Sequence, residues 1–337
     1  MHYSLIHFLG ILMFSIIYAA LNKIRISLLR MLMGKNAYQL HEKMNKNGQW
    51  YYLHKYAPES KYPELLADWY YENTGKTLNL DAPRLYNEKV QWLKLYDTTA
   101  LKTKLSDKYL VRQWIAEQIG ERYLIPLLGV WNNFEEINFD LMPNRFVLKA
   151  NHGCNWLIIV KDKAHFNKEA AKEKFKQWLN TNFAYCAGLE LQYRDIPPKI
   201  IAEEYLEDES GALADYKVYC FEGKPYCIEY FIDRFKKTGY KAIMFDLEWQ
   251  PTGWTVDAHH KPGTAIDKPL NLDEMLALAS ILCSGFHHVR VDFYIVNNKI
   301  YFGEMTFTSA SGLEQFEPEE WNLKLGELIQ LPINYEQ

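Results

Sequence analysis

Between His288 and Met305 the chain alternates charged and apolar residues around a two-residue break, and no other stretch restricts the fold as much. His288–Val296 and 299–305 read as antiparallel strands joined through Asn297-Asn298, residue types that tolerate the positive φ of a tight hairpin. A strand period of two puts Arg290, Asp292 and Tyr294 on one face and Val289, Val291 and Phe293 on the other. On the return strand Glu304 and Thr306 share a face, and the turn can bring Asp292 and Glu304 together. Two neighbouring carboxylates repel. A hard divalent cation such as Mg2+ relieves that repulsion while leaving positions open for phosphate oxygens, and Arg290 would supply positive charge for a phosphate. An Arg–Asp pair on a solvated sheet face accounts for Arg290 and Asp292 equally well, but it leaves Glu304 without a role.

The rest of the chain has to supply partners for that sheet. Residues 34 to about 100 are α-rich, with many Tyr and Trp; a turn-rich break at 79–87 precedes a helix over 88–96. A second helix is expected over 107–118, with Ser106 or Asp107 as N-cap and Gly120 as its stop. From Phe146 the pattern changes to strands at 146–149 and 156–160 around the loop 150–155, a helix at 169–180 and a strand at 199–204. Then come a hairpin, Asp215–Phe221 with 225–232, turning at Gly223, a short strand at 242–245 and a helix at 272–284. This order argues for an α+β fold of packed lobes with mostly antiparallel sheets, not a doubly wound Rossmann domain. The expected divisions are 1–33, 34–105, 106–205 and 206–337.

Common phosphate and hydrolase motifs are missing: there is no Walker A sequence, G-x-G-x-x-G, G-x-S-x-G or HExxH. Candidate chemistry therefore rests on charges set in or beside apolar strands, where charge is costly unless used. Lys149 ends an apolar strand before the small-residue loop 150–155 and can reach a phosphate, with amides near Gly153 covering it. Glu203 and Glu204 close another strand, where a carboxylate and backbone groups can hold an adenine and a ribose. Asp215, Lys217 and Arg234 are further candidates around the hairpin. Taken singly, each also fits an exposed strand end. His152, His259, His260, His287 and His288 form no metal-ligand spacing.

A net charge of -4 lacks the basic field of a nucleic-acid binder. Five scattered cysteines without a C-x-x-C pair argue against a disulfide framework and for a reducing compartment. The segment 4–21 has no Lys, Arg, Asp or Glu and sits at the short end of what crosses a bilayer, which takes about 20 residues. Lys23, Arg25, Arg30 and Lys35 follow it, keeping the body of the chain cytoplasmic. Association with the cytoplasmic face of an inner membrane, and docking as an apolar helix on this protein or a partner, both stay open.

In order, the segments at 86–95, 107–112, 146–155, 203–206, 215–225, 290–294 and 303–308 resemble the ATP-grasp superfamily, specifically its TupA-like polysaccharide-biosynthesis branch, over roughly residues 66–330. The resemblance implies two α+β lobes clasping ATP. Lys108 and Lys149 would bind the nucleotide beneath a loop that includes His152 and Gly153, the expected lid. Glu203, Glu204, Tyr205 and Leu206 would line the adenine and ribose site. Lys217 and Arg290 would meet phosphates, with Arg234 as a further catalytic candidate, and Asp292, Glu304 and Thr306 would hold Mg2+. Many ATP-grasp enzymes have Asn where Thr306 stands. The loop 308–312 would face the acceptor.

The activity so implied joins a carboxylate to an amine through an acyl phosphate, plausible partners being a uronic-acid carboxyl on a surface glycan and an amino acid. A sugar kinase or phosphotransferase would use the same fold. A glycosyltransferase is disfavoured because no D-x-D occurs. A membrane-tethered scaffold would rest on residues 4–21 alone.

Overall fold

Two antiparallel sheets organise the chain in the computed structural model, which describes residue 31 and residues 46–207, 213–232, 241–256 and 266–333. The first has the order β1-β4-β2-β3, from β1 (Leu127–Trp131), β2 (Phe146–Ala150), β3 (Leu157–Val160) and β4 (Ile200–Glu204). The second runs β7-β6-β5-β8-β9, from β5 (Asp215–Phe221), β6 (Lys224–Ile232), β7 (Lys241–Phe245), β8 (His288–Val296) and β9 (Lys299–Thr306). Every pairing within them is antiparallel, as the α+β reading requires. Strand β1 is not among the strands the sequence predicts. All five of its residues are half-buried, so no in–out alternation marks it.

Helices α1 (Lys46–Tyr56), α2 (Tyr62–Thr74) and α3 (Tyr86–Tyr96) precede the sheets. The helix expected at 107–118 begins four residues later, as α5 (Val111–Gln118), and a short helix the sequence reading does not place, α4 (Ala100–Ser106), precedes it. Thr99 caps α4 by accepting from the Lys102 amide, and Asp107 caps the bend between them by accepting from the amides of Tyr109 and Leu110. Helix α6 (Lys168–Leu179) covers one face of the four-stranded sheet, where Ala171 and Phe175 meet Phe146, Leu148 and Ala202. Helix α7 (Leu272–Leu282) belongs to the core on one face of the five-stranded sheet, with Met275 and Leu282 among Val218, Ile228, Val289 and Val291. Each such fully buried side chain contributes about 1.5–3 kcal/mol relative to exposure, so these helices dictate which sheet faces stay free for charge. Helix α8 (Glu320–Glu327) packs on α3 through a core containing Tyr86, Val90 and Leu325.

The β8–β9 hairpin turns at Asn297 and Asn298, with φ of 50° and 58°. An unbroken ladder from that turn would pair Asp292 with Gly303 and put Glu304 on the core side. A bulge at Gly303 leaves Phe293 paired with Phe302 but pairs Asp292 with Glu304. Gly303 is required there, since a Cβ would lie 2.9 Å from the Asp292 carbonyl oxygen. Among the described residues no helix is long and apolar enough to cross a membrane. The segment 4–21 lies outside them, as do Arg234, His259 and His260.

Candidate active site

The face of the five-stranded sheet opposite the α7 core carries a charged row across four strands. Glu229, Lys217, Asp292 and Glu304 are successive register partners, and Tyr219, Arg290 and Thr306 form the next row. Lys149 and Glu203, from the free face of the four-stranded sheet, line the same cavity, of about 120 Å³, together with Lys108 and Arg112.

Seven charges in the cleft are paired with one another. Glu203 takes Lys149 Nζ on one carboxylate oxygen at 2.6 Å and Arg112 Nη1 on the other at 2.8 Å. Lys108 Nζ bridges the sheets, lying 2.9 Å from Glu304 Oε1 while donating to the Gly153 carbonyl at 2.8 Å. Burial works against that ion pair, but the attraction wins on both sides: the Lys108 pKa is raised and the Glu304 pKa lowered. Arg290 grips Asp292 through Nε and Nη2 at 2.7 and 2.8 Å. Burial opposes its charge too, yet Asp292 holds its pKa well above the ordinary value. The Arg–Asp pair that the sequence allows on a solvated face thus exists, but with only 12% and 8% of the side chains exposed.

Of the nucleotide candidates, Lys108, Lys149, Glu203 and Lys217 line the cavity. The Lys217 ammonium also sits over the Phe231 ring, 3.8 Å from its centre. Glu204, Tyr205 and Leu206 are not among the lining residues: Glu204 is exposed on the opposite face of β4. His152 is also displaced from the cavity. It is buried, with its ring nitrogens against Asn151 Oδ1 at 3.1 Å and the Trp178 carbonyl at 3.0 Å, and burial lowers its pKa. Gly153 contributes its carbonyl to Lys108 and otherwise lies against Trp156. Asn151 ties the loop 150–155 down by donating to Pro197 O and accepting from the Lys199 amide, so only Cys154 and Asn155 of this expected lid reach the cavity. Thr306 accepts from Arg290 Nη2 at 3.3 Å.

Sequence reading misses several residues in and around the site. Arg112, on α5, is given no role of its own by the sequence, yet it holds Glu203. Behind Arg290, Tyr219 donates towards Glu229 and Glu314, at 3.1 and 3.3 Å. Burial pushes the Glu229 carboxyl up to about 7 and raises that of Glu314.

The donor set suits a metal–polyphosphate. Asp292 and Glu304 face each other across β8 and β9 with four cations, Lys108, Lys149, Lys217 and Arg290, lining the same cavity. Among the described residues no group of three or more His, Cys, Asp or Glu gathers as a metal cage. Mg2+ commonly binds through one or two carboxylates with phosphate and water completing the shell, so the pair fits that ion in company with a nucleotide.

Comparison with known proteins gives one family match and a set of similar folds. The family model described as TupA-like ATPgrasp matches residues 88–330, somewhat shorter than the 66–330 span of the resemblance. No curated protein matches the chain. Among solved structures, a D-alanine–D-alanine ligase from Bacillus anthracis is 19% identical, with 60% of this chain and 57% of that one covered and a TM-score of 0.34. The same ligase complexed with ATP gives 16% identity, 67% and 64% coverage and a TM-score of 0.41. An L-amino acid ligase from Bacillus licheniformis gives 12% identity, 77% and 56% coverage and a TM-score of 0.40. The chain thus spans about three fifths of the length of these proteins.

Proposed function

The chain belongs to the TupA-like ATP-grasp family, and from that premise we propose that it is an ATP-dependent carboxylate–amine ligase. Residues 106–205 and 206–337 form the lobes that hold ATP. The observation that carries the reading is the register pairing of Asp292 with Glu304 in a cavity shared by Lys108, Lys149, Lys217 and Arg290. In the first half-reaction a substrate carboxylate oxygen attacks the γ-phosphorus of ATP, giving an acyl phosphate and ADP. In the second, an amine attacks the acyl carbon, phosphate leaves, and the nitrogen gives up a proton.

Lys108 and Lys149 orient the polyphosphate, and Lys217 and Arg290 offset charge that builds on the transferred phosphoryl group. Lys108, Lys149 and Arg290 leave their present carboxylate partners, wholly or in part, when phosphate oxygens enter. Asp292 and Glu304, with Thr306 beside them, hold Mg2+; the ion supplies charge neutralisation of the phosphates. Glu203 keeps Lys149 and Arg112 in place, and the backbone of Glu203 to Leu206 borders the base. Arg234 remains a catalytic candidate from sequence. The acceptor is a uronic-acid carboxyl on a surface polysaccharide, such as a capsule or O-antigen, and the amine is an amino acid.

The test is product analysis after incubation with MgATP, uronic acids and amino acids. Equimolar ADP, inorganic phosphate and an amide are expected. A stable phosphorylated sugar with no amide would contradict the ligase reading in favour of a kinase.

A further inference from the structure

The turn at 309–312 runs beside the charged cleft in an uncommon conformation. Ala310, Ser311 and Gly312 follow one another with φ of 44°, 56° and 71°, a left-handed path that costs a non-glycine residue about 1–2 kcal/mol. Such a path persists only where surrounding contacts impose it. Here they come from the helices that precede the sheets. Lys94 on α3, 1% exposed, donates to Ser311 O at 2.6 Å, Ser311 Oγ at 2.7 Å and Gln91 Oε1 at 2.9 Å. Gln91 Nε2 donates to the carbonyls of Ser311 and Gly312, both at 2.9 Å. A Cβ on Gly312 would lie 2.5 Å from that nitrogen, so glycine is what lets Gln91 approach. Ser311 Oγ donates onward to the Ala187 carbonyl, which leaves its lone pairs for Lys94. Three acceptors within 2.9 Å serve the three N–H bonds of an ammonium, with the Ala187 carbonyl farther off at 3.4 Å; a neutral amine has two N–H bonds.

The same turn reaches the cleft at its other end. Ser309 Oγ accepts from Arg290 Nη1 at 2.8 Å and donates to Glu314 Oε1 at 2.6 Å. Arg290 is thereby held from two sides, by Asp292 through Nε and Nη2 and by the turn through Nη1. Thr308, just ahead of the turn, donates to Glu190 and accepts from Gln192 Nε2 at 2.8 Å.

We propose that Lys94 is a positioning residue: it fixes the left-handed turn, and through Ser309 the turn fixes the Arg290 guanidinium towards the phosphoryl group in transfer. What Arg290 does rests on the ligase reading; how it is held does not. Burial pushes the Lys94 pKa down to about 7 against the pull of Glu190, so the charge is expensive where it sits and packing alone gives it no purpose.

The experiment compares the affinity of the full chain for MgADP with its affinity for MgADP plus aluminium fluoride, a mimic of the phosphoryl group in transfer. Wild type should bind the second combination more tightly. Lys94→Met and Ser309→Ala should keep MgADP affinity within about twofold but lose about tenfold of the added tightness, and the double variant should lose no more than either alone, as members of one relay do. Folded variants that keep the wild-type gain, or losses that multiply in the double variant, overturn the proposal. If Lys94→Met does not fold, Ser309→Ala carries the same expectation alone, because it leaves the buried lysine in place. A wild-type chain that binds MgADP and gains nothing from aluminium fluoride would instead overturn the role given to Arg290 in the ligase reading, and this inference with it.

Discussion

On the four-stranded sheet one carboxylate, Glu203, holds two cations, Lys149 and Arg112; on the five-stranded sheet Asp292 and Glu304 hold one each, and the partner of Glu304 comes from another element. Among the residues lining the cleft, the first sheet with α5 therefore has a cation in excess. The second has a carboxylate in excess, with Lys217 and Arg290 against Asp215, Asp292 and Glu304. Phosphate oxygens favour the first side and a metal ion the second. The two acids also differ in reach: Glu203 has both oxygens committed within its own wall, whereas Glu304 faces Lys108 across the cleft.

That contrast can be broken by removing one carboxylate from each side. Glu203→Ala removes the carboxylate from two largely buried cations, of which Arg112 keeps the Ile125 carbonyl, and urea denaturation should show a loss of about 3–5 kcal/mol. Glu304→Ala strands only Lys108, which keeps the Gly153 carbonyl, and should cost about 1–2 kcal/mol. Equal losses would erase the distinction.

Acid should sharpen it from the side of the five-stranded sheet. His288 is buried at the start of β8, with Nδ1 against the Cys220 carbonyl at 3.0 Å and Nε2 against the Tyr86 hydroxyl at 2.9 Å, and burial lowers its pKa to about 3. Between pH 6.5 and about 3 the unfolded chain binds a proton that the folded chain does not, so stability rises with pH across that window and is lost on acidification. The His288 share should reach about 2 kcal/mol by pH 5, and the dependence of melting temperature on pH should be flatter in His288→Gln. An unchanged slope would mean that His288 titrates normally.

Smaller effects are expected at the bulge and at the surface. Gly303→Ala forces a Cβ against the Asp292 carbonyl and should cost about 1–2 kcal/mol, read from the melting temperature. A wild-type value would mean the bulge is not needed to turn Glu304 into the cleft. Lys324→Ala breaks an exposed pair with Glu320, 2.5 Å long, and should change stability by roughly 0.5 kcal/mol or less.

The same two regions differ in how much of them the sequence displays. The β8–β9 hairpin is legible because one face is buried and the other charged, so alternation survives in the residue order. The bulge is not, although Gly303 marks where it falls. Strand β1 lacks alternation because its residues are all half-buried. Arg112 and Lys94 sit on helices, where a charge reads as solvated unless its neighbours at i−3 and i−4 are followed. Val90 and Gln91 are those neighbours for Lys94, both fully buried, and they are the signal that could have found it. His152 enters the sequence reading with the expected lid 150–155, and Glu204 as one of two acids that close a strand. The pleat of β4 turns Glu204 away from the cavity and the hydrogen bonds of Asn151 hold the loop that carries His152; alternation separates Glu203 from Glu204, but which of the two faces the cavity is visible only in the fold.

The most direct test of the account is thermal unfolding of the wild type, Asp292→Asn and Glu304→Gln, each with no ligand, with ATP plus a chelator, and with MgATP. At 100 times its dissociation constant a ligand stabilises the native state by about 2.7 kcal/mol, well within reach of the measurement. The expected result is a rise in the wild-type midpoint with MgATP whose metal-dependent part disappears in both variants. A folded wild-type chain that is shifted by neither ATP nor any other nucleotide would contradict it.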